Sequence, residues 1–276
     1  MNDAAELTAS LRAAARAGEP LPEIGEIALA FSALDHPGVP LEPYRRHLAQ
    51  LVRELAAEHA PSADADRQAE ALRAVLAERH GYRGDRASYD APENADLLRV
   101  IERRRGLPVS LGILGLHAAR AQAWCLVGLR SPGHFLLRLE AGGLHLVLDP
   151  FDGFAVLDAH ALGRRLEAAL GEGAELSPDV IAPVSDREVL LRLANNIKAR
   201  ALEREDVARA AVVLERMLLM APEQAELWRE LGLVSLRQGA LRRAREALKT
   251  EIKLSQSERG REEPRRLLAQ IKAALH

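Results

Sequence analysis

Apolar residues recur at helical spacing through the first third of the chain. Three groups repeat at intervals of three and four residues: Leu7, Leu11, Ala14 and Ala15; Ile24, Ile27, Ala28 and Phe31; and Leu48, Leu51, Val52 and Leu55. Pro20, Pro37 and Pro40 separate these groups. Because one face of a helix repeats every 3.6 residues, the pattern predicts helices from residue 1 to about residue 80.

A second helical stretch follows a predicted loop over residues 80–85. Leu97, Leu98 and Ile101 continue a helical pattern that ends near Gly106-Leu107-Pro108. Pro108 suits the first turn of a new helix, which is predicted to continue through Leu111, Leu114 and Ala118.

The pattern then changes to alternation, which is typical of strands. Trp124–Leu129 is β-prone, and alternating segments run from His134 to Glu140 and from Leu144 to Asp149. Gly142-Gly143 between them is a two-residue hairpin signal. The sequence therefore predicts a small antiparallel sheet that follows a helix, with His134 opening the second strand.

The hairpin fixes a register. If Ala141 pairs with Leu144, one face of the hairpin is wholly apolar, and Asp149 lies opposite Leu136. Leu136 shares a face with His134, so we expect the imidazole and the Asp149 carboxylate to lie one diagonal step apart, within hydrogen-bonding reach.

The last third contains a repeat. Trp228-x2-Leu231-Gly232 followed by Ala244-x3-Leu248 has the spacing of a tetratricopeptide repeat, and Ala210, Leu214 and Pro222 fit one repeat earlier. We predict two domains: residues 1–184, and an all-α repeat domain over residues 185–276 that binds a protein or peptide partner.

Composition narrows the function classes. Lys and Arg total 38 and Asp and Glu total 40, for a net charge of -2, which argues against a nucleic-acid binder. The single cysteine, Cys125, excludes an internal disulfide and is expected to be buried in the first strand. We see neither a signal-peptide pattern nor an apolar stretch of about 18 residues, so we expect a cytoplasmic protein without membrane contact.

Three residues could form a nucleophilic site. Ser110 follows Pro108 at a helix start, where free N–H groups could hold an oxyanion or where the hydroxyl could simply cap the helix. If this helix packs across the His134 face, Ser110 approaches His134, which Asp149 would orient. A metal site of His134, His145 and Asp149 is a third reading, although its spacing matches no metal motif and we expect neither metal nor cofactor.

Several motifs together resemble the bacterial SirB-type proteins, which combine a transglutaminase-like domain with tetratricopeptide repeats. They are Arg105-Gly106-Leu107-Pro108-Val109-Ser110-Leu111, Pro132-Gly133-His134-Phe135, Asp149-Pro150-Phe151 and Leu193-Ala194-Asn195-Asn196-Ile197-Lys198. The resemblance implies an α+β fold: a helical N-terminal part, then a papain-like core with a helix packed on a small antiparallel sheet.

In active enzymes of the transglutaminase-like type, a cysteine opens the helix and histidine and aspartate follow on the strands. His134 and Asp149 match that pattern, whereas Ser110 occupies the cysteine position. Serine is a poorer nucleophile at neutral pH. Two hypotheses follow: a binding or regulatory protein with an altered site, or a hydrolase or acyltransferase that uses Ser110, His134 and Asp149 on an amide or ester.

Overall fold

The computed structural model describes residues 3–58, 64–171 and 181–274. The chain divides into two compact units. The first consists of residues 1–10 and 17–193, and the second of residues 11–16 and 194–276. The division after residue 184 that the sequence predicts stays a prediction.

The N-terminal region is helical, as its apolar periodicity predicts. Its elements are α1 (Ala4–Arg16), α2 (Ile24–Ala33), α3 (Glu42–Glu58) and α4 (Ala65–Leu72), and the last of these continues as a π-helical segment, Arg73–Arg79. Leu48, Leu51 and Leu55 of α3 are buried, which confirms the stripe read from the sequence.

The next two helices are each preceded by a very short strand. The elements are β1 (Arg83–Gly84), α5 (Leu97–Arg103), β2 (Arg105–Gly106) and α6 (Pro108–Arg120). Strands β1 and β2 pair in parallel. The sequence predicts only a loop over residues 80–85, because two residues are too few to show alternation and their pairing partner lies more than twenty residues away.

A five-stranded antiparallel sheet forms the core beside α6. Its strands are β3 (Cys125–Leu129), β4 (Leu136–Ala141), β5 (Leu144–Asp149), β6 (Ala155–Leu157) and β7 (Pro183–Val184), in the order β6-β5-β4-β3-β7. The predicted register is confirmed, since Ala141 pairs with Leu144 and Leu137 with Leu148. Both hairpin glycines have positive φ, which a two-residue turn of this kind requires.

Two details of the predicted sheet are wrong. His134 does not open the second strand, because β4 begins only at Leu136 after the turn at Pro132-Gly133. Cys125 is exposed rather than buried, because alternation in β3 turns Leu126 inward and Cys125 outward. Partial burial and the neighbouring Glu140 raise the pKa of the Cys125 thiol.

Further helices follow β6, with α7 before β7 and the others after it. They are α7 (Ala159–Leu170), α8 (Asp186–Glu203), α9 (Val207–Met220), α10 (Ala225–Arg237), α11 (Leu241–Leu254) and α12 (Glu258–Ala274). Ala244, Leu248 and Ile271 form a small core between α11 and α12. A Cβ at Gly232 would lie 2.8 Å from a Leu248 methyl carbon, so a residue larger than glycine at this repeat position would displace the Leu248 side chain.

The fold class is therefore as the sequence predicts: α+β, with a helix packed on an antiparallel sheet and a C-terminal helical repeat region. Among the described helices, none combines the length and the hydropathy that crossing a lipid bilayer demands.

Candidate functional site

His134 and Asp149 lie together at one end of the sheet. His134 Nε2 is 2.8 Å from Asp149 Oδ1, although the histidine belongs to the turn before β4 rather than to the strand. Asp149 is the last residue of β5 and is fully buried. The adjacency that the hairpin register predicts is thus present in the structure.

The Asp149 carboxylate has partners on each side. Oδ1 also accepts the Phe151 N–H at 2.9 Å, which caps the short helical turn Pro150–Asp152. Arg165 Nη1 of α7 lies 2.5 Å from Oδ2 as an ion pair without the alignment of a hydrogen bond. A buried charge of this kind is tolerated only when it is paired and hydrogen-bonded.

These contacts decide the ionisation of Asp149. Burial by itself would raise the pKa of this carboxyl group. The hydrogen bond with His134, the positive charge of Arg165 and the Phe151 N–H outweigh burial and hold the pKa below its ordinary value. Asp149 is therefore an anion at neutral pH.

The position of the imidazole follows from three contacts. An ionised carboxylate can only accept hydrogen bonds, so Nε2 of His134 donates to Asp149, and in the neutral imidazole Nδ1 is then an acceptor. The Phe151 ring packs edge-on against the imidazole at 5.8 Å between centroids. Arg192 of α8 donates to the His134 carbonyl at 2.8 Å and to the Ser131 carbonyl at 3.2 Å, which holds the turn.

Sequence reasoning missed Arg165 and Arg192. Both lie on helices far along the chain from the histidine, and neither stands in a motif. Only the packing of α7 and α8 brings them to the site. Phe151 belongs to the motif Asp149-Pro150-Phe151, so a sequence signal existed for that residue.

The Ser110 hydroxyl forms its hydrogen bonds with backbone carbonyl groups rather than with His134 or Asp149. The side chain is fully buried, and Oγ is 2.8 Å from the Asn94 carbonyl oxygen and 2.9 Å from that of Leu107. Within the described residues its hydroxyl makes no hydrogen bond to His134. A Cβ at Gly106 would lie 2.6 Å from Oγ, so the Gly106 backbone packs directly against the hydroxyl.

The rotation of α6 explains this placement. The helix turns Gly112 toward the Phe135 ring and Gly115 toward Leu137 and Phe154, as the short distances from a Cβ at each glycine show. Ser110 precedes Gly112 by two residues, or about 200° around the helix axis. Its hydroxyl therefore faces away from the sheet. Helix α6 therefore contacts Phe135 and Leu137, which belong to the predicted apolar face, and these contacts do not supply the packing across the His134 face on which an approach of Ser110 to His134 depends. A site that combines Ser110, His134 and Asp149 stays a prediction.

The described residues do not support the hypothesis of a metal site formed by His134, His145 and Asp149. Among the residues that the structure describes, no three His, Cys, Asp or Glu side chains are grouped so as to hold a metal ion. His145 is exposed and pairs with Glu140 across the hairpin.

Comparison with known proteins gives two matches along the chain. Residues 42–195 match the family described as the transglutaminase-like superfamily, and residues 197–275 match a tetratricopeptide repeat family. The first match contains Ser110, His134 and Asp149, and the second begins inside α8.

Curated relatives cover a similar part of the chain. A UPF0162 protein of Xylella fastidiosa strain Temecula1 is 35% identical over 67% of this chain and 66% of its own length. A UPF0162 protein of Vibrio cholerae is 29% identical over 77% and 78%, and protein SirB1 of Salmonella typhimurium is 29% identical over 61% and 63%. The chain thus spans just under two thirds of the Xylella relative.

Proposed function

The chain belongs to the transglutaminase-like superfamily, and from that membership and the buried position of Ser110 we propose a binding or regulatory protein with an altered active site. In this proposal the His134–Asp149 pair recognises a peptide or amide-like group, and no cysteine-type acyl transfer takes place. The C-terminal repeats bind a protein partner.

One observation carries the proposal: the Ser110 hydroxyl is buried and donates to backbone carbonyls. A nucleophile must be within reach of its base and of the substrate carbon. The α6 positions one turn before Gly112, on the side that faces the sheet, are Pro108 and Val109, and neither carries a nucleophilic atom.

The His134–Asp149 pair suits recognition of an amide. Asp149 keeps a proton on Nε2, so in the neutral imidazole Nδ1 is an acceptor for a ligand N–H. Arg192 holds the turn that carries His134, and Phe151 packs against the ring, which reduces the entropy that binding must overcome.

The second candidate function is a serine hydrolase or acyltransferase. The 2.8 Å contact between His134 and Asp149 favours it, because an oriented, charge-stabilised histidine is what a nucleophilic serine requires. In that case Ser110 attacks an amide or ester, His134 takes its proton, and Asp149 stabilises the imidazolium. This reaction needs α6 to rotate away from the packing of Gly112 and Gly115.

A reactive-serine probe separates the two candidates. We expect an alkyl fluorophosphonate to leave Ser110 of the folded full-length protein unlabelled in intact-mass measurements, because the hydroxyl is enclosed. Labelling of the wild type that disappears in Ser110→Ala would overturn the proposal in favour of the serine enzyme.

Introducing the thiol tests the rest of the site. In a Cys125→Ser background, which removes the exposed native thiol, Ser110→Cys should gain no thiol-dependent acyl transfer from a peptide-amide donor. A gain of activity would show that position 110 reaches His134. Thermal unfolding of both variants verifies that each is folded.

A further inference from the structure

A cleft of about 640 Å³ lies beside the candidate site. The Phe151 ring, which packs against His134, also lines this cleft. Its wall includes the paired strands β1 and β2, and its charged lining residues comprise four arginines and three carboxylates: Arg73, Arg83, Arg86, Arg105, Glu78, Asp85 and Asp152. The volume is in the range of small-molecule sites, which is roughly 300–1,000 Å³. We name it the Arg83–Arg105 cleft.

Parallel pairing brings two of these arginines side by side. Arg83 of β1 is the register partner of Arg105 of β2. Register partners on neighbouring strands are about 4.8 Å apart and point to the same face of a sheet. Two like charges are thus held together by backbone hydrogen bonds, a placement that costs free energy unless an anion offsets it.

Within the described residues, neither of the two guanidinium groups forms an ion pair with a carboxylate, although Asp85 attracts Arg105 electrostatically. Arg105 donates through Nη1 to the Gly81 and Arg104 carbonyls at 3.2 and 3.0 Å, and its side chain makes no other hydrogen bond in the described part of the chain. Arg83 is exposed, and its side chain makes no hydrogen bond or ion pair within the described part of the chain. Burial, together with the charge of Arg83, lowers the pKa of Arg105.

The carboxylates of the cleft are engaged elsewhere. Glu78 lies 3.2 Å from Arg73, and Asp152 lies 3.1 Å from Arg86. Asp85 pairs at 2.8 Å with Arg103, which is outside the cleft lining. Of the four lining arginines, Arg83 and Arg105 are therefore the two that form no ion pair in the described part of the chain.

An aromatic wall stands next to the arginine pair. The Phe151 ring lines the cleft and covers Gly84, where a Cβ would meet the ring at 2.3 Å. Arg86 lies over this ring at 5.4 Å from its centroid. The cleft thus offers an apolar surface for the organic part of a ligand beside a doubly positive end.

From this arrangement we propose that the Arg83–Arg105 cleft binds a small organic phosphate, with its phosphoryl group between the two guanidinium groups. A carboxylate has two oxygens and one charge, whereas a phosphoryl group has three terminal oxygens and up to two charges, so it matches two guanidinium forks more fully. This proposal does not depend on the role of Ser110.

Inorganic phosphate is the probe for the proposed phosphoryl-binding position between Arg83 and Arg105. At constant ionic strength, we expect it to raise the thermal unfolding temperature of the full-length protein and to bind by calorimetry with a Kd of about 1 mM or tighter. Arg83→Gln should weaken this binding about tenfold or more. Because Arg83 is exposed and repelled by Arg105, the variant should fold and be at least as stable as wild type without phosphate.

The matched control is Arg45→Gln, which removes an exposed arginine that is paired with Glu26 far along the chain from the cleft. Its phosphate affinity should equal that of the wild type. Any of three results overturns the proposal. Phosphate binding could be unchanged in Arg83→Gln, or absent in the wild type, or the dicarboxylate malonate could stabilise the protein equally, which would contradict the phosphoryl assignment.

Discussion

At the residue scale, Asp149 joins structure and chemistry. The same carboxylate caps the Pro150–Asp152 turn, orients His134 and pairs with Arg165. Three such contacts stabilise the fold whether or not the site has a ligand. The His134–Asp149 pair therefore fits a structural role as well as a catalytic one. The burial and bonding of Ser110 distinguish the two roles.

Asp149→Asn should make stability less dependent on pH. The pKa of Asp149 is held below its ordinary value in the folded protein, so its contribution to stability is present above that ordinary value and is lost as the pH falls through the native pKa. We expect the variant to lose about 2 kcal/mol of unfolding free energy near neutral pH. The deficit should shrink on acidification, as urea titrations at several pH values can measure.

Asp152→Asn is the control, because Asp152 is exposed and three residues away along the chain. Its unfolding free energy should change by less than about 0.5 kcal/mol. An Asp149→Asn deficit that stays constant on acidification would contradict the assignment of an ionised, stabilising carboxylate.

At the element scale, the rotation of α6 decides where Ser110 points. Nearly every residue of this helix from Pro108 to Ala119 is buried, so no polar stripe specifies its rotation in the sequence. Gly112 and Gly115 set it instead, because each lets an aromatic side chain of the sheet layer approach the helix backbone.

Gly112→Ala should therefore disturb the core. A Cβ at this position would lie 2.5 Å from the Phe135 ring, and we expect a loss of about 1–3 kcal/mol of unfolding free energy. Gly163→Ala in α7 is the matched control, since nothing lies within 4 Å of its Cβ. It should gain up to about 1 kcal/mol because alanine favours a helix interior. Equal effects of the two substitutions in thermal unfolding would refute this account of α6.

At the scale of the whole molecule, a transglutaminase-like unit is combined with a tetratricopeptide region. Helical repeats of this class present extended surfaces to partners. In the described part of the repeat region, Val212 of α9 and Leu233 of α10 are large apolar side chains that remain more than one-third exposed. They are the positions at which a partner surface can be tested.

Leu233→Glu and Val212→Glu in the full-length protein should each abolish the recovery of a partner that copurifies with the wild type. Leu144→Glu is the control, because Leu144 is an exposed apolar residue at the tip of the β4–β5 hairpin. Retention of the partner by both repeat variants, or its loss with Leu144→Glu alone, would place the interaction outside the repeats.

The sequence by itself determined the features that depend on neighbours along the chain. Helical periodicity located the helices around Leu48–Leu55 and Leu97–Ile101, and the Gly142-Gly143 turn fixed the hairpin register that brings Asp149 to His134. Such patterns are readable because helix and strand periods are local properties.

Only the tertiary structure decided which way Ser110 faces, that Arg165 pairs with Asp149, and that Arg83 and Arg105 share a cleft. The rotation of a helix that is buried on all sides is set by what packs on it, not by its own residues. Arg165 and Arg83 likewise meet their neighbours through contacts between distant segments, which no local period encodes.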